Sequence, residues 1–284
     1  MTDATTHDTQ LDPIAHLSPT MLEGQVAFIT GGGSGINLGI ARAFARCGAS
    51  IAICGRSEER LATAAEELRG LGAEVAYQAA DVRDAEALQA SVDHAVSQLG
   101  DISIAVAGAA GNFFAKAEEM SPNAFRTVVD IDLMGAYHTA RAVFPSLKKT
   151  RGSILFITAG QAYKAMKYQA HVGAAKAGIE MLMKDLALEW GPHGIRSNSL
   201  VPGPVEGTEG MFRLAGPTGD ELWKQAVPLG RYASTAEIGA MAAVLSGPLG
   251  AYVSGSQYIV DGGMGLVSST HISDAVEKSL FTKE

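Results

Sequence analysis

Short apolar and β-branched runs alternate with longer segments of helical period along most of the chain. The first half reads QVAFIT, GIARAFARCG, SIAIC, SEERLATAAEELRGLG, EVAYQAA, DAEALQASVDHAVSQLG and ISIAVAG, in that order. Such alternation predicts βαβ units, whose right-handed crossovers build a parallel sheet with helices on both faces. The second half continues with a helix from about Pro122 to Leu147, the strand SILFIT, a long helix to Trp190 and the strand IRSNSLV. Residues 202–228 break the pattern. Gly and Pro recur there, which predicts a substrate loop or lid with short helical pieces such as GDELWKQA. The helix STAEIGAMAAVLSG, with Ser234 as N-cap, and a last strand in SQYIVDGG close the domain. The expectation is one α/β domain over 21–265, a doubly wound parallel sheet of about seven strands. A flexible arm over 1–20 precedes it and a C-terminal tail over 266–284 follows; Leu11, Ile14 and Leu17 of the arm are candidates to dock on a neighbouring subunit.

Composition agrees with one full-sized core: 284 residues, 47% hydrophobic and 18% charged. A net charge of -8 and a pI near 5.4 argue against nucleic-acid binding, which needs clustered Lys and Arg. They leave room for a polyanionic small ligand, because a few local arginines bind one whatever the overall sign. Cys47 and Cys54 show no C-x-x-C or zinc spacing and read as packing residues, so no metal is expected. The first twenty residues lack the basic start and apolar core of a signal peptide, and no apolar run approaches the ~18 residues of a membrane span. The terminal FTKE is not an S-K-L address. These signs predict a cytoplasmic protein with no membrane partner.

The chemistry begins where the first strand meets GGGSGINLGIARAFA. Gly31, Gly33, Ser34, Gly35 and Ile36 stand at a strand-to-helix turn, where glycine lets backbone N–H groups approach a pyrophosphate at a positive helix end. In a βαβ series this is a Rossmann-like nucleotide site. The second strand ends in AICGRSEER. No acid stands at its tip to bond a ribose 2′-hydroxyl, and Arg56 offers a fork of donors suited to a 2′-phosphate. NADP(H) is therefore the expected cofactor, with Ser57 and Arg60 as helpers, although Arg60 also reads as a solvated helix residue. Asp81, with Val82 beside it at the tip of the third strand, is placed either to bond an adenine amino group or to cap the next helix.

From TGGGSGI through SILFITA, Lys176 in HVGAAKAGIE, SNSLVPGPV and VDGG, the chain resembles the short-chain dehydrogenase/reductase family over nearly its whole length. It departs from the family pattern at several positions. Asn37 replaces the third fingerprint glycine, which predicts a first helix less close to the sheet. Ala107 and Gly108 replace paired asparagines, and Asp132 stands at the position of a helix asparagine. Ala159 and Val172 stand where the family carries its serine and tyrosine. With AAGNFFAKAEEMSPNAFRTVVDID, LALEWGPHGIRSNSLVPGP and GTEGMFRLAGP, these departures resemble the 2,4-dienoyl-CoA reductases, most of all the peroxisomal type. The resemblance implies reduction of a 2,4-dienoyl-CoA to a 3-enoyl-CoA by NADPH in a homotetramer. It places Lys176 on the nicotinamide ribose, and Pro202, Gly203 and Pro204 over the nicotinamide, with Val205 and Thr208 near its carboxamide.

A missing tyrosine suits that reaction. Reducing a ketone creates an alkoxide that needs an acid at oxygen. Hydride addition to the far end of a conjugated thioester instead spreads charge into a dienolate, which oriented donors stabilise, and a proton then goes to carbon. Asp132 is the candidate to manage that proton, directly or through a water; burial would raise its carboxyl and a nearby Lys176 would lower it. Asn112 and Phe113 follow the fourth strand at the sheet edge where a substrate crevice forms, with Phe114 next to them. Gln161, Tyr163, Tyr168 and His171 precede Lys176, and one of them is placed to replace the missing hydroxyl; His171 also reads as a capping or packing residue. Met211, Phe212 and Leu214 are apolar enough to cover an acyl chain, and Arg213 is a candidate for CoA phosphates. Two alternatives stay open: reduction of another conjugated, ring or ketone substrate, and a catalytically silent NADP(H)-binding protein.

Overall fold

The computed structural model describes residues 12–216 and 219–269. The first half runs β1 (Val26–Thr30), α1 (Gly35–Arg46), β2 (Ser50–Gly55), α2 (Glu58–Gly70), β3 (Val75–Ala79), α3 (Ala85–Leu99) and β4 (Ile104–Ala107). The second half adds α4 (Pro122–Val129), a π-helical segment (Asp130–Met134), α5 (Gly135–Thr150), β5 (Ser153–Ile157), α6 (Ala170–Trp190) and β6 (Arg196–Pro202). The short α7 (Glu209–Ala215) and α8 (Asp220–Gln225) follow, then α9 (Thr235–Ser246) and β7 (Gln257–Val260). All seven strands are parallel in the order β3-β2-β1-β4-β5-β6-β7, as the alternating sequence predicts. Among the described residues no helix is long and apolar enough to cross a membrane.

Alternation along β1 divides the core. Ala27 and Ile29 face a layer built from α1, α2 and α9, while Val26 and Phe28 face α3, α5 and α6. The first layer is tight where α1 crosses α9. A Cβ on Gly239 would lie 2.7 Å from the Gly39 carbonyl oxygen, so only paired small residues allow this approach. Ser234 caps α9 as expected and completes a reciprocal capping box with Glu237.

Two boundaries differ from expectation. Part of the segment assigned to a free arm packs on its own domain: Pro13–His16 form a short 3-10 helix, Ile14 is buried in the core, and Leu17 packs beside it. Ile14 is thus covered within the chain, because α1 and α9 leave an apolar seam at that edge; Leu11 and the tail beyond residue 269 lie outside the described residues. The helix expected over 122–147 is also not uniform. Its middle widens into the π segment before α5 continues to Thr150.

Candidate active site

A cleft of about 1250 Å³ crosses the carboxyl ends of the strands, above the point between β1 and β4 where strand order reverses. Open parallel sheets bind ligands there. At one end Gly31 and Gly35 take φ of +71° and +56°, which side-chained residues resist. Gly32 lies so near β2 that a Cβ there would sit 2.5 Å from Ile53 Cγ2. Helix α1 starts without a side-chain cap, since Ser34 makes no such hydrogen bond. Its first N–H groups and its positive dipole end are therefore available to an anion, and Gly31, Gly33, Ser34, Gly35 and Ile36 line the cleft as expected. The cradle fits a dinucleotide pyrophosphate.

Arg56, Ser57, Asp81 and Val82 line the adjoining stretch. Arg83 reaches the Asp81 carboxylate at 2.6 Å and holds its carboxyl below the usual range. The cap of α3 is Asp84, so the capping alternative for Asp81 falls. Ser57 caps α2. Arg60 lines the cleft and spans to Glu209 of α7 at 3.4 Å. Pro202, Gly203, Pro204, Val205 and Thr208 form the opposite rim, where a Cβ on Gly203 would come 2.7 Å from Asp261 Cα.

The substitution at Asn37 pairs with the one at Gly108. Asn37 Nδ2 donates to the Gly108 carbonyl at 2.8 Å, and a Cβ at residue 108 would run into Asn37 Oδ1. The larger residue on α1 fits because the loop after β4 has given up its side chain. The amide of Asn37 thereby ties the start of α1 to the loop after β4.

At the other end Asp132 sits in the π segment and is 1% exposed; Lys176, on α6, is 5% exposed. Lys176 Nζ lies 3.0 Å from Asp132 Oδ2. Asp132 Oδ1 accepts the Gly111 N–H at 2.7 Å, and Lys176 also donates to the Ile157 carbonyl at 3.2 Å. Asp132 Oδ2 meets the ammonium by charge and receives no aligned hydrogen bond, which leaves a lone pair for a further donor. Gly135, the first residue after the segment, lets the helix press on β3's tip, where a Cβ would stand 2.6 Å from Val82 Cγ2. A π turn inserts a residue into the helical register, a feature common at functional sites, and Asp132 lies at its centre.

Ala159 and Val172 line the cleft without a hydroxyl between them. Of the residues considered as replacements, Tyr163 and Gln161 line the cleft, and burial, then Asp261 and Glu180, raises the Tyr163 hydroxyl above its ordinary range. Tyr168 does not line it. Its backbone takes φ of +68° and its ring faces a neighbouring groove of about 560 Å³. His171 is fully buried with its ring 4.3 Å from the ring of Phe113, and burial keeps its imidazole below the usual range. Neither capping nor direct contact with the cleft describes it, because α6 begins on Gln169 without a side-chain cap.

Asn112, Phe113, Met211, Leu214 and Arg213 line the cleft. Arg213 is bound to Glu209 at 2.5 Å, one turn earlier on the same helix. Phe212 is 80% exposed and lies outside the lining, because Met211 and Ala215 take the inward face of α7. Asp261, the acid of VDGG, also lines the cleft, its carboxylate held by the N–H groups of Gly263 and Gly265 at 2.9 and 2.6 Å. An acid directly before two glycines at a strand's carboxyl end was the available signal.

The model of the family described as Enoyl-(Acyl carrier protein) reductase matches residues 31–265. The peroxisomal 2,4-dienoyl-CoA reductase of Saccharomyces cerevisiae is 44% identical over 250 residues, covering 87% of this chain and 86% of the yeast protein. A peroxisomal 2,4-dienoyl-CoA reductase of Arabidopsis thaliana is 41% identical over 272 residues, covering 92% and 91%. Among solved structures, a gluconate 5-dehydrogenase from Burkholderia cenocepacia in complex with NADP and tartrate superposes with a TM-score of 0.82 at 30% identity, covering 88% of this chain and 98% of that one. The expectation of a cytoplasmic protein is overturned by the relatives, which are peroxisomal by name. It rested on the lack of a signal peptide, of a membrane span and of an S-K-L terminus, and none of these absences fixes a compartment.

Proposed function

The chain belongs to the short-chain dehydrogenase/reductase family, and on that premise we propose that it is an NADPH-dependent reductase of conjugated acyl-CoA thioesters, converting 2,4-dienoyl-CoA to 3-enoyl-CoA. The observation that carries this reading is the buried pair Asp132–Lys176 at 3.0 Å in a cleft whose serine and tyrosine positions hold Ala159 and Val172. When bound, the reduced nicotinamide supplies a hydride. The glycine turn and the uncapped start of α1 bind the pyrophosphate, and Arg56 selects the 2′-phosphate. Lys176 orients the nicotinamide ribose and holds positive charge beside the reacting centre.

Ketone reduction needs a proton at oxygen, for which this cleft has no hydroxyl on Ala159 or Val172. Protonation at carbon has a different requirement. Asp132 Oδ2, open to a further donor, holds a water against the dienolate carbon, and the neighbouring ammonium polarises that water. Asn112 bonds the thioester side, while Phe113, Met211 and Leu214 exclude solvent from the acyl chain. A homotetramer is the assembly we propose, and Met181 and Leu188, 58% and 79% exposed on α6, give it apolar surface to bury. The test is incubation of the purified protein with NADPH and a 2,4-dienoyl-CoA. Loss of both the cofactor and the diene chromophores is expected; cofactor binding without either loss refutes the activity.

A further inference from the structure

Among the described residues, five of the seven buried side-chain polar atoms without a hydrogen-bond partner in the protein lie on one side of the cleft: Asn112 Oδ1, Asp132 Oδ2, Gln169 Oε1 and both ring nitrogens of His171; the other two are Asn37 Oδ1 and Ser246 Oγ. Gln169 is 1% exposed and His171 fully buried. The main chain from Gly111 to Phe113 connects the four residues. Gly111 N–H holds Asp132, Asn112 follows it, Gln169 Nε2 donates to the Phe113 carbonyl at 2.8 Å, and the Phe113 ring packs on His171. Buried groups of this kind are normally satisfied by ordered water when protein supplies no partner. The cluster also has an opening at each end: Asn112 lines the catalytic cleft and Gln169 lines the neighbouring groove of about 560 Å³.

We propose that Gln169, His171 and Asn112 hold a chain of water molecules that carries protons from the neighbouring groove to the water on Asp132. The inference rests on the function proposed above. With cofactor and acyl thioester in the cleft, Asp132 and Lys176 are sealed from solvent, so each proton given to carbon must be replaced by another route. When the water on Asp132 protonates carbon, the hydroxide left behind takes a proton along the chain from the imidazole N–H. The other ring nitrogen takes one from water entering past Gln169. One proton enters for each delivered, no electrons move in the relay, and exchange with the chain restores the tautomer. A neutral imidazole is required because only that form offers one donor and one acceptor, and burial of His171 favours it. His171 acts through water and is a positioning residue.

The test uses the holoenzyme with whichever conjugated thioester the wild type reduces. Single-turnover mixing follows NADPH oxidation and product appearance separately in His171→Phe and Gln169→Leu. Product formation is expected to slow by roughly 10²-fold in the first variant and several-fold in the second, with hydride transfer near the wild-type rate and a larger solvent deuterium effect on the slow step. Equal slowing of hydride transfer and product formation overturns the relay, as does unchanged product formation in both variants. A high-resolution crystal structure of the wild type with NADP decides the same point without any substrate. Waters bridging Gln169, His171 and Asn112 are expected, and a dry cluster overturns the proposal. A wrong substrate would show instead as failure of the wild type to oxidise NADPH with dienoyl-CoA.

Discussion

At the cofactor end of the cleft, the lining groups proposed to meet a ligand are neighbours in sequence: Gly31 to Ile36 in one turn, Arg56 and Ser57 in another. At the other end they come from separate elements, with Asp132 from a π segment, Lys176 from α6, Gly111 from the loop after β4 and Ile157 from the end of β5. The first end combines a half-buried glycine turn with the exposed Arg56 and Ser57. The second is a desolvated ion pair, where each charge is tolerable only because the other is present. On the proposed function, binding and chemistry are separable, and mutations should divide along that line.

The hardest test of the division is Asp132→Asn, which keeps an acceptor for Gly111 and removes the charge. Turnover is expected to fall by about 10²–10⁴-fold, while NADPH affinity, followed by fluorescence titration, stays close to wild type. Stranding the Lys176 ammonium is expected to cost stability as well, about 3–5 kcal/mol in thermal or urea unfolding. The double variant Asp132→Asn/Lys176→Met should recover much of that stability and none of the turnover. A loss of NADPH binding as large as the loss of turnover would show that the two ends do not act separately.

Next in size is Gly108→Asn, which restores the family residue at the junction of the two ends. The new side chain collides with Asn37, and overpacking of this kind costs roughly 1–3 kcal/mol. Adding Asn37→Gly is expected to return most of it, and a double-mutant cycle in urea measures the coupling. Additive losses would show that the two substitutions are independent.

Arg56→Ala probes the cofactor side alone. The Kd for NADPH is expected to rise by about tenfold or more, with NADH affinity and turnover at saturating NADPH little changed. Isothermal titration with both cofactors checks it. The smallest effect is in pH. Folding holds the His171 imidazole below its ordinary value of 6.5, so the unfolded chain binds the extra proton first as pH falls. Stability is then lost as pH drops below that value, by at most about 1.4 kcal/mol per pH unit, until folded His171 also protonates. His171→Phe should remove that slope in urea unfolding between pH 7 and pH 5, taken as an approximate window from the same linkage.

Legibility followed the same division. The strand and helix order, the Ser234 cap and the glycine turn were readable because each depends on residues adjacent in the chain. The place of Arg56 and Asp81 on the cleft was readable for the same reason. Phe212 was misassigned because the inward face of a two-turn helix is fixed by what it packs on, here Met211 with Tyr232. Tyr168 and His171 looked equivalent in the segment before Lys176, yet one faces a separate groove and the other is buried against Phe113. Asn37 and Gly108 read as two unrelated departures; only the packing of α1 on the loop after β4 joins them.

The doubly wound sheet, the glycine turn between β1 and α1, and the absence of hydroxyls at Ala159 and Val172 all follow from local pattern and residue chemistry. The tertiary structure alone decided that Asp132 faces inward. Its flanking residues, Ile131 and Leu133, leave either face open, and a helix of regular period gives no sign of the extra residue that the π segment absorbs. Burial beside Lys176 and Gly111 is a property of three elements meeting, and only their packing makes an aspartate on a helix into half of a sealed ion pair.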